Sequence, residues 1–505
     1  MTRDRLNFWL WAGAALIAGL LLRLWFVLHM ARIAGDSLIY GAIAKNWLLH
    51  GVYGFAENRL ASGAIEISPT LIRLPGYPFF IATCFRLFGV EHYNAVLFTQ
   101  IAVDLCTCCL VAALAGRLFG RRALLPVLWI AALCPFTANY VAAPLTETLV
   151  LATIALALYA FVRWLDVAPG FNRWLWILAA ALSASLLLRP DQALLAAAIL
   201  PAMLWRSLAT RERRLRPLHS ALPALAAALC ILLPLVPWTA RNWQTFEVFQ
   251  PLAPRYANDP GEIPPLGFNR WYRTWAIDFI STEQVYWNCN GDRVEVDDLP
   301  TRAFAAASPE ATEDLESRTS DLLNDYNETT TDSPEIDARF NALATERIHA
   351  HPLLYYVALP TARLLDMAFR PRTEMISDTD DWWNWSDHPA QSALAASYAA
   401  LNLACFALAF AGYFAWRRRT KSLSSHPIAT SSLSSNLVPR ELVFSMAAYI
   451  LLRAALLLTL DNSEPRYTLE FFPILFVWIG ALFASRLVDS DQKLSSRSSD
   501  AARTF

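Results

Sequence analysis

Charge is what this chain lacks most. Asp, Glu, Lys and Arg make up 17% of its 505 residues, where a soluble protein carries about a quarter. That shortage excludes a soluble domain with an ordinary surface. A cysteine framework is missing as well. Of eight Cys, seven (Cys84, Cys106, Cys108, Cys109, Cys134, Cys230 and Cys405) lie inside apolar runs, and Cys289 alone falls in a polar segment. Thiols so placed act as small hydrophobes, so neither a disulfide scaffold nor a metal centre at "CTCC" (106–109) is expected. No small-residue cleavage site follows the first apolar run, so "MTRDRLN" reads as the start of a retained anchor. No internal repeat is evident, which weighs against a transporter built on inverted repeats.

Apolar length is what the chain has in excess. Hydrophobic residues make up 56%, gathered in blocks of the roughly 20 residues that a bilayer crossing needs. Candidate spans are 6–28, 93–116, 123–142, 145–163, 174–189, 191–206, 218–238, 392–416, 441–460 and 467–486. The expected fold class is an all-α polytopic membrane protein of about ten transmembrane helices plus interfacial helices, with a small mixed extracytoplasmic insert. If the spans alternate, Arg3, Arg5, "RLFGRR" (117–122), Arg163, Arg173, "WRSLATRERRLRP" (205–217) and "WRRRTK" (416–421) share one face. The positive-inside rule makes that face cytoplasmic. Two further apolar stretches read as interfacial or re-entrant helices. One is 352–369, interrupted by Pro360, Arg363 and Asp366, and the other is 78–89, too short to cross.

The organisation that follows is a transmembrane core over 1–240 with a first outer loop at 29–92, then an outer loop region with an interfacial helix over 241–391. C-terminal transmembrane helices occupy 392–487, with a Ser-rich cytoplasmic linker at 417–440, before a cytoplasmic tail at 488–505. Within the outer region, "GDRVEVDDLPTRAF" (291–304) predicts a short strand and 334–350 has helical spacing. The expected location is the plasma (inner) membrane.

On the outer face, ionisable residues collect at span ends. Asp36 opens "DSLIYGAIAKNW" (36–47) and suits the N-cap of a helix over 37–49, with Gly51 at its far end. Arg73 and Tyr77 lie in "LIRLPGYPFF" (71–80), where Arg73 is either a snorkelling side chain or a fork for phosphate oxygens. Glu147 begins a span in "PLTETL" (144–149), where the helix dipole favours a carboxylate. Arg189 and Asp191 share the tight turn of "LLLRPDQALL" (186–195) and can pair with each other. Arg241 leaves the seventh span in "PWTARNW" (237–243), and Glu464, Arg466 and Tyr467 enter the last in "NSEPRYTLEFFP" (462–473). Mid-span charges are scarce, Asp104 and Arg453 being the main exceptions, and pairing across helices would satisfy them. Each residue alone has a structural explanation. Together they put carboxylates and guanidiniums at one membrane face, where ionisable groups are costly unless they pair or line a cavity. A carboxylate there can serve an acceptor as general base, and arginines can stabilise a departing phosphate.

These pieces resemble the membrane glycosyltransferases of the GT-C superfold. Within it they look like glycosyltransferase family 39, the bacterial relatives of the protein O-mannosyltransferases, and like the lipid A aminoarabinose transferases. "GDSLIYGAIAKNWLLHGVYG", "RLPGYPFFIATCFRLFGV", "PLTETLVLATIALALY", "LLLRPDQALL", "PWTARNWQTFEVF", "HPLLYYVALPTARLL" and "EPRYTLEFFPILF" carry the likeness. The resemblance implies Asp36 as catalytic base or acceptor-orienting carboxylate, Glu147 as the second-loop acid, and Arg73 at the donor phosphate. Tyr77, Arg189, Asp191, Arg241, Arg466 and Tyr467 complete the candidate substrate-binding set, with Arg189 and Arg466 as alternatives for the phosphate. Two departures stand out. Ser37 follows Asp36 where many relatives have a second acid, and Leu74 separates Arg73 from Pro75.

The implied reaction is inverting transfer of a hexosyl or pentosyl group from a polyprenyl-phosphate sugar donor to an extracytoplasmic glycan, lipid or protein acceptor. A protein is the least favoured of the three, since no soluble peptide-binding domain is evident. No cofactor or metal site is expected. A divalent cation at Asp378, Asp380 and Asp381 is the one left open. Trp382, Trp383 and Trp385 beside them suit interfacial anchoring or stacking on a sugar. Partners are the donor, the acceptor and the lipid bilayer, with no nucleic acid. Two alternatives stand beside this reading: a flippase or transporter of polyprenyl-linked glycans, and a glycan ligase or polymerase using a diphosphate-linked donor.

Overall fold

Runs of Leu and Ala lose little side-chain freedom in a helix, and lipid leaves a backbone no partner but itself. Every candidate span accordingly becomes helix in the computed structural model, which describes residues 3–59, 65–167, 170–209, 217–376, 383–424 and 438–484. The first part of the chain comprises α1 (Arg3–His29), α2 (Asp36–His50), the strands β1 (Gly54–Arg59) and β2 (Ile65–Pro69), α3 (Gly76–Phe88), α4 (Tyr93–Phe119), α5 (Arg121–Leu133), α6 (Pro135–Ala138), α7 (Glu147–Asp166), α8 (Arg173–Leu188) and α9 (Ala193–Leu208). The rest comprises α10 (Pro217–Leu232), α11 (Leu235–Phe246), α12 (Leu266–Tyr272), α13 (Pro309–Thr329), α14 (Pro334–Ala350), α15 (Leu359–Phe369), α16 (Pro389–Ser424), α17 (Arg440–Leu457) and α18 (Phe472–Gly480).

Among the described residues six helices are long and apolar enough to cross a membrane: Arg3–His29, Tyr93–Phe119, Glu147–Asp166, His219–Phe246, Pro389–Lys421 and Pro465–Phe483. A seventh joins them if Arg121–Leu133 and Pro135–Ala142, bent by 53°, form one broken span. Pro135 opens the second half of that pair, where proline tolerates a helix start but not a helix interior. The remaining candidate spans are α8 and α9, of 16 residues each, and α17, of 18. The Ser-rich linker expected from 417 begins later than that, because α16 runs on to Ser424. Residues 425–437 and the tail expected at 488–505 lie outside the described residues.

The helix ends sort into two groups. At one end Arg117 of α4 meets Asp166 of α7 at 2.5 Å. Arg206 of α9 lies 3.8 Å from Glu441 of α17, and Arg419 of α16 donates to the carbonyls of Ala481 and Ala484. These are the ends that charge assigns to the cytoplasm. The opposite ends converge around Asp36, Glu147, Arg189 and Arg466. Deep in the bundle, Asp104 of α4 accepts from Arg23 Nε of α1 at 2.6 Å, and Arg23 Nη1 also donates to the Gly19 and Ala132 carbonyls. Both side chains are buried, which a membrane interior tolerates because the charges are paired. Arg453, the other expected mid-span charge, pairs separately with Asp191 and Glu470.

The outer region differs from expectation in one respect. No strand forms at 291–304; Val296–Asp298 and Thr301–Ala303 are single 3-10 turns instead. The insert is helical rather than mixed, with its own core of Trp271, Tyr272, Trp275, Leu322, Tyr326 and Phe340. α13 contributes Leu322 and Tyr326 to that core and α14 contributes Phe340. Asp337 Oδ1 on α14 accepts from the Gly267 and Phe268 amides at 2.5 and 3.0 Å, satisfying the start of α12. The only sheet among the described residues is the antiparallel hairpin β1–β2 in the first loop, with Gly54 opposite Pro69, Ala56 opposite Ile67, and a bulge between Ala56 and Arg59. The stretch 352–369 forms a π-turn followed by α15. Its polar interruptions turn inward, with Arg363 Nη1 donating to Ala276 O at 2.9 Å and Asp366 accepting from Ser463 Oγ at 2.9 Å. Leu353, Tyr356, Val357 and Leu365 stay exposed, so this stretch presents an uncovered apolar face.

Removing one partner of the Arg23–Asp104 pair strands a buried charge, a loss of about 3–5 kcal/mol. Asp104→Ala is therefore expected to lower the unfolding temperature of the detergent-solubilised protein strongly. The double variant R23L/D104L should recover much of that loss. A double variant as unstable as the single one would contradict this account.

Candidate active site

After the non-helical stretch that follows α1, Gly35 takes a positive φ of 53° and turns the chain into α2. Gly35 occupies the N-cap position, and Asp36 is the first residue of α2. The N-cap role open to it is not the one it takes. Its two oxygens go to two guanidiniums instead: Oδ1 accepts from Arg73 Nη2 at 2.8 Å and Oδ2 from Arg466 Nη1 at 3.1 Å. Gly51 ends α2 in the left-handed conformation, as expected.

Arg73 reaches Asp36 because its turn is pinned on both sides. Tyr53 Oη donates to the Arg73 carbonyl at 2.9 Å. Gly76, three residues on, sits so close to α8 that a Cβ there would lie 2.5 Å from the Leu187 carbonyl oxygen. The Arg73 guanidinium also lies 5.7 Å from the centre of the Tyr40 ring, one turn along from Asp36. Arg466 is held from the other side, its Nε against Glu464 Oε2. Glu464 Oε1 in turn accepts from Tyr467 Oη at 2.8 Å and Asn462 Nδ2 at 2.6 Å. The fully buried Arg372 grips the Pro465 carbonyl at 2.9 Å, fixing the backbone just before Arg466.

A second charged layer lies deeper. Arg189 Nη1 donates to Glu147 Oε1 at 3.3 Å, and its Nε and Nη2 fork onto Asp191, both at 3.2 Å. Arg453 Nη1 lies 2.8 Å from Asp191 Oδ2 and 2.7 Å from Glu470 Oε2, which also accepts from Tyr449 Oη at 2.7 Å. Three carboxylates face two guanidiniums there, so the layer is closed on itself and slightly acidic. Asp36, Arg73, Glu147, Arg189, Arg466 and Tyr467 line one cavity of ≈ 420 Å³, together with Glu464, Asp461 and Arg255.

Burial by itself pushes the Asp36 carboxyl up. The Arg466 and Arg73 guanidiniums outweigh that and hold it at about 2. Burial pushes the Tyr40 phenol up to about 12, so it stays a hydroxyl. Three candidates stand outside the cavity lining: Asp191, in the deeper layer behind Arg189, Tyr77 and Arg241. Tyr77 is buried behind Tyr40 and donates to Gln100 Oε1 at 2.6 Å. Arg241 holds the first loop by donating to the Thr70 and Tyr53 carbonyls at 2.8 and 2.9 Å, with Trp238 and Phe246 against its guanidinium. Arg372, Glu470, Tyr40 and Arg255 were not singled out from sequence. Glu470 alone carried a signal, an acid inside the apolar run that follows Arg466. Among the described residues no group of three or more His, Cys, Asp or Glu is placed to hold a metal ion. Asp378, Asp380, Asp381 and Trp382 lie outside those residues, and Trp383 and Trp385 are exposed.

With this geometry in place, residues 69–238 match the family model described as dolichyl-phosphate-mannose-protein mannosyltransferase. That segment holds Arg73, Glu147, Arg189 and Asp191, and the match supports the resemblance to GT-C membrane glycosyltransferases. No curated protein matches the chain. Among solved structures it is similar to the archaeal oligosaccharyltransferase AglB from Archaeoglobus fulgidus, in complex with an inhibitory peptide and a dolichol-phosphate. That likeness has 11% identity and a TM-score of 0.46, and covers 97% of this chain and 52% of AglB. This chain thus spans about half the length of AglB. It is also similar to ArnT from Cupriavidus metallidurans bound to undecaprenyl phosphate, at 13% identity and a TM-score of 0.34, covering 94% of this chain and 77% of ArnT.

Because folding lowers the Asp36 carboxyl to about 2 from its ordinary 3.8, its pairing stabilises the fold fully above the ordinary value and is lost as pH falls through the lower one. The unfolding temperature of the wild type should therefore drop more steeply between about pH 4 and 2 than that of Asp36→Asn. Parallel curves for the two proteins would show that Asp36 is not held by this pairing.

Proposed function

We propose that this membrane protein is an inverting GT-C glycosyltransferase, moving a sugar from a polyprenyl-phosphate carrier to an acceptor on the extracytoplasmic side. The observation that carries the reading is the ionised Asp36 shared by Arg73 and Arg466 at the wall of a cavity lined by four arginines. The family match over 69–238 supports it. The sorting of basic loops to the opposite helix ends supports the extracytoplasmic placement.

Guanidinium forks fit phosphate oxygens, and the two layers differ in what they offer. Arg189 has its donors committed to Glu147 and Asp191. Arg73 and Arg466 each spend one nitrogen on Asp36 and are about a fifth exposed. They are the pair that receives the donor phosphate. Asp36 held at about 2 is a weak base, and a base works best with a pKa near the working pH. When the phosphate draws Arg73 and Arg466 away, the carboxylate loses the charges that depress it and becomes more basic. The acceptor hydroxyl oxygen or amine nitrogen then attacks the anomeric carbon and its proton passes to Asp36. The bond from that carbon to the phosphate oxygen breaks, its electron pair leaving with polyprenyl phosphate. Glu147 orients Arg189 at the cavity floor, and Tyr467 orients Glu464.

In a purified, reconstituted system with radiolabelled polyprenyl-phosphate sugars, Asp36→Asn should lose roughly 10²–10⁴-fold in kcat while inserting normally. Arg73→Ala and Arg466→Ala should each raise the donor KM by about tenfold or more, with Arg73→Lys recovering part of it. Near-normal turnover by Asp36→Asn would remove the base. Turnover only with diphosphate-linked donors would favour a ligase or polymerase, and substrate-dependent transport without any transfer would favour a flippase.

A further inference from the structure

Asp36 and Arg466 have a second side. Behind them lies another cavity, of ≈ 410 Å³, which shares Asp36, Leu145, Trp287, Glu464 and Arg466 with the first. The two cavities therefore meet across the reacting carboxylate. Their linings differ in kind. The first adds Arg73, Arg189 and Arg255 together with Glu147 and Asp461 to the shared wall, so its four guanidiniums balance four carboxylates. The second adds Ala34, Ile39, Ala143, Phe279 and Met375, with Arg32 and Glu374 as its only further charges. Three carboxylates against two guanidiniums make it a poor host for an anion.

Glu374 is the telling residue. Its Oε1 accepts from Tyr140 Oη at 2.9 Å. Its Oε2 is buried and has no hydrogen-bond partner among the described residues. Arg32, on the same cavity, donates to the Glu374 backbone carbonyl and not to its carboxylate. Arg372, two residues away, is committed to Asn402, the Pro465 carbonyl and Thr468. A buried carboxylate oxygen without a donor is costly, and the group it awaits must carry a hydrogen to give. Trp287, half-exposed between the cavities, offers an apolar ring beside it.

We propose that this second cavity receives the acceptor as a neutral hydroxylated sugar ring. Glu374 Oε2 accepts a hydrogen bond from one of its non-reacting hydroxyls, and Trp287 lies against its apolar face. The volume suits one or two sugar rings. The name acceptor rests on the function proposed above; the glycoside site itself does not.

The test uses the full chain in nanodiscs and two probes, a photoreactive alkyl glucoside and undecaprenyl phosphate. The glucoside should label the segments around Phe279–Trp287 and Glu374–Met375, and undecaprenyl phosphate should not displace it. Glu374→Gln keeps the bond from Tyr140 but turns an amide NH₂ toward the ligand, so labelling should fall about tenfold. Met375→Trp, which fills the cavity while keeping the Glu374 carboxylate, should do the same, and both variants should still bind undecaprenyl phosphate. Unchanged labelling in both variants would overturn the proposal. So would labelling of Ile72, Tyr256 and Leu460 that undecaprenyl phosphate displaces. If Glu374→Gln loses both probes through misfolding, Met375→Trp decides. If the wild type binds the glucoside as described but not undecaprenyl phosphate, the donor reading fails and the glycoside site stands.

Discussion

One carboxylate shared between two guanidiniums holds the candidate site together. Asp36 and Arg466 are 430 residues apart in sequence, and Asp36 and Arg73 are 37 apart. Their contact closes the first loop onto the entry of the last span. The surrounding elements make that closure geometrically available: the positive-φ turn at Gly35, the tight approach of Gly76 to α8, and the grip of Arg372 on the Pro465 carbonyl. A neutral side chain at position 36 would leave the Arg73 and Arg466 guanidiniums without the anion they share.

The two charged layers divide the electrostatic work. The inner layer of Glu147, Arg189, Asp191, Arg453 and Glu470 is tied together mainly by its own ion pairs, with Gln192 and Tyr449 also donating to Glu470, and it is less exposed than the outer one. The outer layer of Asp36, Arg73, Arg466 and Glu464 is balanced in charge and partly exposed, which suits groups that must exchange partners. An anion entering between Arg73 and Arg466 disturbs the outer layer and leaves the inner one alone. On the proposed function, recognition of a lipid-borne phosphate and activation of the carboxylate would be one event.

The helical insert bears on the site through the turn at 461–468. Asp461 lies 3.3 Å from Arg273, Ser463 is bonded to Thr282 and Asp366, and the cavity walls include Phe279, Tyr286 and Trp287. A segment with its own aromatic core thereby forms part of the cavity wall and is fixed at one edge to the same turn that carries Arg466.

The sequence by itself determined the apolar helices and their order, since lipid leaves the backbone of such a run no partner but itself, but not the helical insert. It also singled out Asp36, Glu147, Arg73, Arg189 and Arg466, because ionisable residues at the ends of such runs stand against an apolar background. Partner choice was not legible there. A cap and an ion pair ask for the same aspartate, and only the closure of the chain decided that Asp36 faces Arg73 and Arg466. The same closure spent Arg241 on loop carbonyls, set Tyr77 behind the wall, and drew Arg372 and Glu374 into the site from a segment with no periodic signal. Sequence spacing reports neighbours within a few residues. The direction of a side chain across hundreds of them is a property of tertiary packing alone.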